Sequence, residues 1–173
     1  RDRFGGNYRT APFNPNGLDT LLHEKWDAEG TWSHWHGRRI RMQGAPSPDH
    51  VVACDLVDGF GPSFTMRSSE LPKGRALFLA IGFERYVEHV DDTRTVLCVT
   101  VLEDTSGTQS FYEPFDMEPL PPTAGVWEHV EYRISIPPPK EGEDLKFYFW
   151  NTRSAARFRM DDPDVTVMAV RPY

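Results

Sequence analysis

Proline and glycine interrupt this chain so often that they limit the length of any helix or strand between them. The 173 residues include 15 prolines and 13 glycines. They leave segments of about 6 to 14 residues between turn signals. Most of these segments alternate apolar and polar residues at period two, which is the pattern of half-buried strands. The sequence therefore predicts an all-β protein with little helix.

About nine segments carry this strand pattern, and they follow one another too closely for crossover helices. Such spacing favours an antiparallel β-sandwich of the jelly-roll kind over an α/β fold. The exception is LDTLLHEKWDAEG, whose leucines at positions 18, 21 and 22 have helical spacing and predict a turn or two of helix. The predicted strands cover 37–44, 50–57, 62–68, 75–90, 94–104, 108–115, 127–136, 145–152 and 164–171.

Two of these segments predict a ligand surface. In 75–90 the odd positions are largely apolar, and in 127–136 the even positions are apolar, so these positions are expected to face the core. If the two strands are neighbours, their outer face combines aromatic rings with charged groups, which suits stacking on a sugar ring and polar contacts to its hydroxyls. This surface consists of Glu84, Tyr86, Trp127, His129, Glu131 and Arg133.

The segment KWDAEGTWSHWHG places Trp26, Trp32 and Trp35 close together. It is a second candidate surface, with Trp32 and Trp35 as its ligand-binding residues. Ordinary packing is the alternative for both surfaces, because aromatic residues make up 13% of the chain. The same segment puts His34 and His36 on one side of an extended chain, which fits a transition metal, although two exposed histidines are the favoured interpretation.

The segment LKFYFWN, at 145–151, is largely apolar on both faces. A strand of this kind belongs in the middle of a sheet, with one face in the core and the other either under loops or in a binding groove. We interpret Tyr148 and Trp150, which share one face, as packing residues rather than as a ligand platform.

Two adjacent aspartates, Asp161 and Asp162, begin the last predicted strand. Aspartate before proline commonly initiates a turn, which explains the pair without a ligand. Adjacent carboxylates at a chain reversal also offer the hard oxygen ligands that calcium prefers, with backbone carbonyls to complete the coordination. The residues alone leave both interpretations open.

The C-terminal part of the chain resembles one known family. The resemblance consists of Trp127 followed by alternating apolar residues and proline, then LKFYFWN, a short turn and the aspartate pair. It is similar to the C-terminal half of carbohydrate-binding-module-like jelly rolls in bacterial secreted glycosidases and surface proteins. Nearer the N-terminus, NPNGLDT before Trp26 is similar to the family's N-x-G-F-E segment, and HWHGRRIRM to a motif that leads into an early strand.

This resemblance implies a non-catalytic module with a structural calcium ion. The family's ligand positions correspond to Asp19 and to Asp161 or Asp162 in this chain. Three residues depart from the family pattern. Leu18 replaces an aromatic residue, Asp19 replaces a glutamate, and Pro163 follows the aspartate pair where an apolar residue is usual.

Charge and hydropathy narrow the class of partner. The chain has 19 Lys+Arg against 26 Asp+Glu, a formal charge of −7, which disfavours nucleic acid and anionic membrane surfaces. It contains no apolar run of the length that spans a bilayer, so we expect no membrane insertion. Neutral, polar or cationic partners are compatible with this composition.

The length predicts one domain over 1–173. The chain begins with Arg1 rather than Met, so we expect a trimmed product or a piece of a longer protein with neighbouring domains. Cys54 and Cys98 lie 44 positions apart. They are expected to be buried in different strands, with a single disulfide as the alternative, and they leave the compartment undecided.

Together these features predict an extracellular or cell-surface module that binds a polysaccharide or glycan by aromatic stacking and polar contacts. The first alternative is an accessory domain that binds no sugar. The second is a small jelly-roll polysaccharide lyase or glycoside hydrolase, whose acid, base or cationic groups would come from Glu84, Glu88, His89, His129, Glu131 and Arg133. No recognised catalytic motif marks any of these residues, so an enzyme is the less favoured interpretation and no catalytic residue is predicted.

Overall fold

The computed structural model describes residues 17–25, 33–47, 50–54, 60–93, 96–116, 122–152 and 158–172 of the chain. Their regular structure consists of strands and two short 3-10 turns, Ser68–Glu70 and Val90–Thr93. The strands are β1 (Leu18–Lys25), β2 (Trp35–His36), β3 (Arg38–Arg41), β4 (His50–Cys54), β5 (Ser63–Met66), β6 (Leu77–Val87), β7 (Val96–Glu103), β8 (Gln109–Asp116), β9 (Glu128–Ile136), β10 (Asp144–Asn151) and β11 (Phe158–Val170).

These strands form two sheets. The larger sheet has six strands in the order β3-β4-β11-β6-β9, with β1 also paired to β11, and the smaller has five in the order β2-β5-β10-β7-β8. Every strand pair between described residues is antiparallel. The prediction of an all-β antiparallel sandwich of the jelly-roll kind is confirmed.

One hydrophobic core lies between the sheets and takes side chains from both. From the six-stranded sheet come Leu79, Ile81 and Phe83 of β6, and from the five-stranded sheet Phe147 and Phe149 of β10, all at most 1% exposed. The rings of Phe83 and Phe149 meet edge to face, with centroids 5.2 Å apart. Each such side chain contributes about 1.5–3 kcal/mol by leaving water, so this contact holds the two sheets together.

Alternation along β6 and β9 places their side chains as predicted. The odd positions of β6 and the even positions of β9 from Val130 onward are buried. Arg85 is the polar member of the inward series and is 2% exposed. Its guanidinium donates to Glu128 Oε2 at 2.9 Å. A buried cation needs such a partner to offset its loss of hydration.

The predicted helix at the start of the described chain is wrong, because Leu18–Lys25 forms β1. β1 pairs with β11, and its register shifts between Thr20 and Leu22. A bulge of this kind inserts one residue and breaks the period-two alternation. Leu21 and Leu22 therefore both pack against the core, and the resulting leucine spacing imitates a helix.

The last strand is longer than predicted and contains the aspartate pair within it. Before the pair β11 is bonded to β4, and from Asp164 onward to β1. The change occurs at a bulge between Asp161 and Asp164, where Asp162 has a φ of 46°, a conformation that aspartate tolerates. The fully buried Asp161 carboxylate accepts the backbone N–H groups of Ser47 at 2.8 Å and Asp162 at 2.9 Å.

No helix in the described ranges is long and apolar enough to cross a membrane. Cys98 is buried in β7, while the side chain of Cys54 lies outside the described part, so a disulfide between them stays an open prediction. The assignment of 1–173 to one domain also stays a prediction.

Candidate functional site

The outer face of the five-stranded sheet carries the candidate site. β10 lies at the centre of this sheet, as its two apolar faces predicted. Alternation turns its odd positions into the core and its even positions, Lys146, Tyr148 and Trp150, outward. The outward residues of the neighbouring strand, Val99 and Val101, are fully buried. The centre of the outer face therefore consists of buried apolar side chains next to the aromatic side chains of β10.

Phe60, just before β5, completes this surface. Its ring is 69% exposed and lies parallel to the indole of Trp150, with centroids 5.7 Å apart and 10° between the planes. It also meets Tyr148 edge to face at 6.3 Å. On β8, Tyr112 points outward and is 43% exposed. Phe60, Tyr112, Tyr148 and Trp150 are called the aromatic face below.

A polar group borders the aromatic face. Lys146 donates to Glu103 Oε1, and Gln109 Nε2 donates to Glu103 Oε2 at 2.9 Å. These hydrogen bonds lower the pKa of Glu103. Burial, with Tyr112 and Glu103 nearby, raises the pKa of Tyr148, so its hydroxyl stays protonated at neutral pH. Planar polar groups beside aromatic rings suit the recognition of sugar hydroxyls.

The surface predicted from β6 and β9 is assembled on the other side of the sandwich. His129 lies beside Glu84 and Glu131, with Nδ1 2.8 Å from Glu84 Oε1 and Nε2 3.4 Å from Glu131 Oε1. Arg133 lies 3.6 Å from Glu131. At one end the rings of Tyr86 and Trp127 are in tilted contact, with centroids 5.4 Å apart. These six residues are called the β6–β9 face below.

The tryptophan-rich segment does not form the predicted surface over its described part. Trp35 is 1% exposed and packs against Phe64, so the prediction that it binds a ligand is wrong because it offers no ring face to one. Trp32 lies outside the described residues. His36 is exposed, but the side chain of His34 is only 13% exposed, which corrects the expectation of two exposed histidines.

The carboxylates predicted to share a calcium ion do not lie together. Asp19 is the β1 partner of Ala169, which places it about 25 Å along β11 from Asp161. Arg75 donates to Asp19 at 2.5 Å and Arg171 at 2.7 Å, and these hydrogen bonds lower the pKa of Asp19. A calcium ion cannot take ligands from both positions, so that ligand set is wrong.

Within the described ranges, hydrogen bonds from the protein already engage the carboxylates of the aspartate pair. Asp161 accepts two backbone N–H groups, and Asp162 accepts the hydroxyl of Ser47. Across the ranges that the structure describes, no three His, Cys, Asp or Glu side chains group closely enough to hold a metal. A structural calcium ion stays a prediction.

Sequence reasoning did not place Phe60 and Tyr112 in a candidate site. Phe60 lies between two glycines in DGFGPS, and an aromatic residue in such a turn is a signal of exposure that alternation does not provide. Tyr148 and Trp150 were expected to serve packing alone. The structure leaves both partly exposed on the outside of the sandwich.

Solved structures with the same architecture include polysaccharide-binding modules. Over 90% of this chain and 97% of the other, it is similar to the CBM22-1 xylan-binding domain of Paenibacillus barcinonensis Xyn10C, with 15% identity and a TM-score of 0.51. It has the fold of these carbohydrate-binding modules. The CBM22-1-GH10 modules of Clostridium thermocellum Xyn10B, solved with xylohexaose, give 14% identity and a TM-score of 0.53.

The share of each relative that is covered differs widely. The match to the tandem CBM22-1-CBM22-2 domain of P. barcinonensis Xyn10C includes 90% of this chain but only 47% of the tandem domain. Its identity is 16% and its TM-score is 0.52. Of the C. thermocellum protein the chain covers 29%, while that match includes 89% of this chain. No protein-family model matches the sequence, and no curated protein matches it. At this identity the comparisons establish the fold, and function rests on the site.

Proposed function

We propose that this chain is a non-catalytic polysaccharide-binding module that holds its ligand on the aromatic face. The observation that carries the proposal is the parallel pair formed by the exposed ring of Phe60 and the partly exposed indole of Trp150, beside Tyr148. An aromatic ring that stays in contact with water does not gain the free energy of burial that a core position would provide. Stacking on the apolar face of a sugar ring recovers it.

The polar border supports a sugar rather than an apolar ligand. Lys146, Glu103 and Gln109 place charged and amide groups next to the rings, and Tyr148 keeps a hydroxyl that donates and accepts. A polysaccharide presents apolar ring faces and hydroxyl groups together, which matches aromatic rings with polar side chains beside them. We infer a neutral ligand, because the charges at the border are already paired with each other.

Xylan is the first ligand to test. It is the ligand named for the Paenibacillus module of the same fold, and xylohexaose is the sugar in the Clostridium structure. The same comparisons support the proposal that the chain acts outside a bacterial cell, next to other domains.

Affinity gel electrophoresis with soluble xylan tests the proposal directly. The wild-type chain should be retarded by xylan in the gel, and Trp150→Ala should migrate as in a gel without polysaccharide. Val90→Ala is the control, because Val90 is 60% exposed and lies in a turn outside the aromatic face. A panel of cellulose derivatives, mannan and β-glucan extends the test to other neutral polysaccharides.

The alternatives give different results. An accessory domain without sugar binding is retarded by no polysaccharide in the panel. An enzyme releases reducing ends or unsaturated products from one of them. Retardation that Trp150→Ala leaves unchanged would place the ligand elsewhere and overturn the assignment of the site.

A further inference from the structure

The β6–β9 face contains a hollow centred on a glycine. Gly82 lies in the middle of β6, with Glu131 of β9 and Asp164 of β11 as its cross-strand partners. The hollow has a volume of about 210 Å³, smaller than a typical drug-sized pocket. The polar and charged groups that line it belong to His129, Glu131, Arg133, Asp164 and Thr166.

The missing side chain at position 82 makes room for the imidazole of His129, which forms one wall of the hollow. A Cβ there would lie 3.2 Å from Cε1 of His129, closer than the imidazole permits without moving. Glycine inside a strand weakens the strand and commonly marks a place where another group approaches the backbone closely. Here the imidazole lies over the glycine, held between Glu84 and Glu131, so its orientation is set before any ligand arrives.

The groups around the hollow include donors and acceptors in near balance. Glu131 and Asp164 accept, Arg133 donates, and the hydroxyl of Thr166 does both. Farther out, His23 lies 3.0 Å from Asp164, and Lys25 is the β1 partner of Asp164. Charges of both signs around a small hollow do not favour a strongly charged ligand. They match the hydroxyls of a neutral sugar, each of which donates and accepts.

An aromatic contact lies in line with the hollow. Tyr86 is four residues from Gly82 on β6, which separates them by about 13 Å along the strand. Its ring meets Trp127, which immediately precedes β9, and both rings are half-buried. A sugar ring in the hollow and another against Tyr86 and Trp127 would belong to one short chain running along β6 and β9.

We propose that the β6–β9 face is a second binding site, for a neutral oligosaccharide, on the opposite side of the sandwich from the aromatic face. One sugar ring occupies the hollow beside the His129 imidazole, and the oligosaccharide continues toward Tyr86 and Trp127. This inference extends the proposed function to a second surface, and the two sites fail independently because they use different sheets. A module with both sites cross-links polysaccharide chains.

Calorimetric titration with neutral hexasaccharides, beginning with xylohexaose and then cellohexaose, tests the proposal through stoichiometry. The wild-type chain should bind two hexasaccharides. Gly82→Val, whose side chain forces the His129 imidazole out of its place and into the hollow, should bind one, and so should Trp150→Ala, which removes the other site. The double variant should bind none.

Binding at the aromatic face serves as the control for folding. If Gly82→Val unfolds the chain, it loses both sites, and Arg133→Ser then replaces it, because Arg133 is 45% exposed and its loss leaves the strand intact. Suppose that the wild-type chain binds one hexasaccharide, that Trp150→Ala abolishes this binding, and that neither Gly82→Val nor Arg133→Ser affects it. This result would overturn the second site and leave the proposed function standing. If the wild-type chain binds one hexasaccharide, and Gly82→Val or Arg133→Ser abolishes this binding while Trp150→Ala does not, the aromatic face is overturned as the binding site instead.

Discussion

Phe60 and Trp150 lie parallel on the outside of the sandwich, with ring centroids 5.7 Å apart and 10° between their planes. Phe60 comes from the turn before β5 and Trp150 from the end of β10. The contact extends the aromatic surface beyond the sheet without adding to the core. Stability and ligand binding are therefore expected to depend on different members of this surface.

Phe60→Ala should lower affinity for the polysaccharide and leave stability nearly unchanged. Because the ring is 69% exposed, its loss should change the free energy of unfolding by less than about 0.5 kcal/mol. A ligand that stacks on it should lose about 1 kcal/mol or more, roughly fivefold in Kd. Titration of xylohexaose and urea denaturation of the same preparation measure both. Equal affinity in the variant would exclude Phe60 from the site.

Adjacent residues of β10 should separate the two roles completely. Phe147 is fully buried in the core, so Phe147→Ala should destabilise the chain by about 3–5 kcal/mol. Tyr148 faces outward, and Tyr148→Ala should reduce binding while costing at most about 1 kcal/mol of stability. Urea denaturation compares the variants directly. Similar destabilisation by both would show that the outer face of β10 is covered and not available to a ligand.

The placement of strands in this protein could be predicted where alternation is regular. β6, β9 and β10 each keep a period of two over most of their length, so their core faces and the central position of β10 followed from the residues. The same alternation brought Glu84 and His129 to one surface, because they are cross-strand partners. Period-two reasoning works here because the sheets bury one face against a shared core.

Two irregularities could not be predicted. The bulge in β1 gave Leu21 and Leu22 helical spacing, and the bulge in β11 placed Asp161 in a long strand that changes partner. Bulges depend on which strand lies alongside, and the sequence does not reveal that. For a related reason Trp35 was misjudged and Phe60 was not singled out, since β2 and the turn before β5 are too short for alternation to indicate which side faces the core.

Asp161 is expected to stabilise the fold through hydrogen bonds. Asp161→Ala leaves the backbone N–H of Ser47 without its buried acceptor, which should cost about 1–3 kcal/mol. Glu141→Ala is the matched control, because that carboxylate is 87% exposed and its removal should cost less than about 0.5 kcal/mol. Thermal melting should show the same loss for Asp161→Ala with calcium and with a chelator. A loss seen only with calcium would identify Asp161 as a metal ligand.

His34 should make stability depend on pH, because it bridges the two sheets. Its Nδ1 lies 2.5 Å from Glu24 of β1, and its Nε2 lies 2.8 Å from Glu70, in the turn that follows β5. Ionised carboxylates only accept hydrogen bonds, so both nitrogens donate only in the protonated ring. Desolvation acts to lower the pKa of His34, but the hydrogen bonds with Glu70 and Glu24 outweigh it and leave the pKa raised.

A raised pKa in the folded state fixes the direction of this dependence. The stabilisation is fully present below the pKa of an unfolded histidine, about 6.5, and is lost as the pH rises through the higher folded value. The melting temperature of the wild-type chain should therefore fall across that interval, and His34→Gln should remove this part of the fall. His36→Gln is the control, because His36 is exposed on β2 and should leave the profile unchanged. An unaltered profile in His34→Gln would show that the bridge contributes nothing measurable to the folded state.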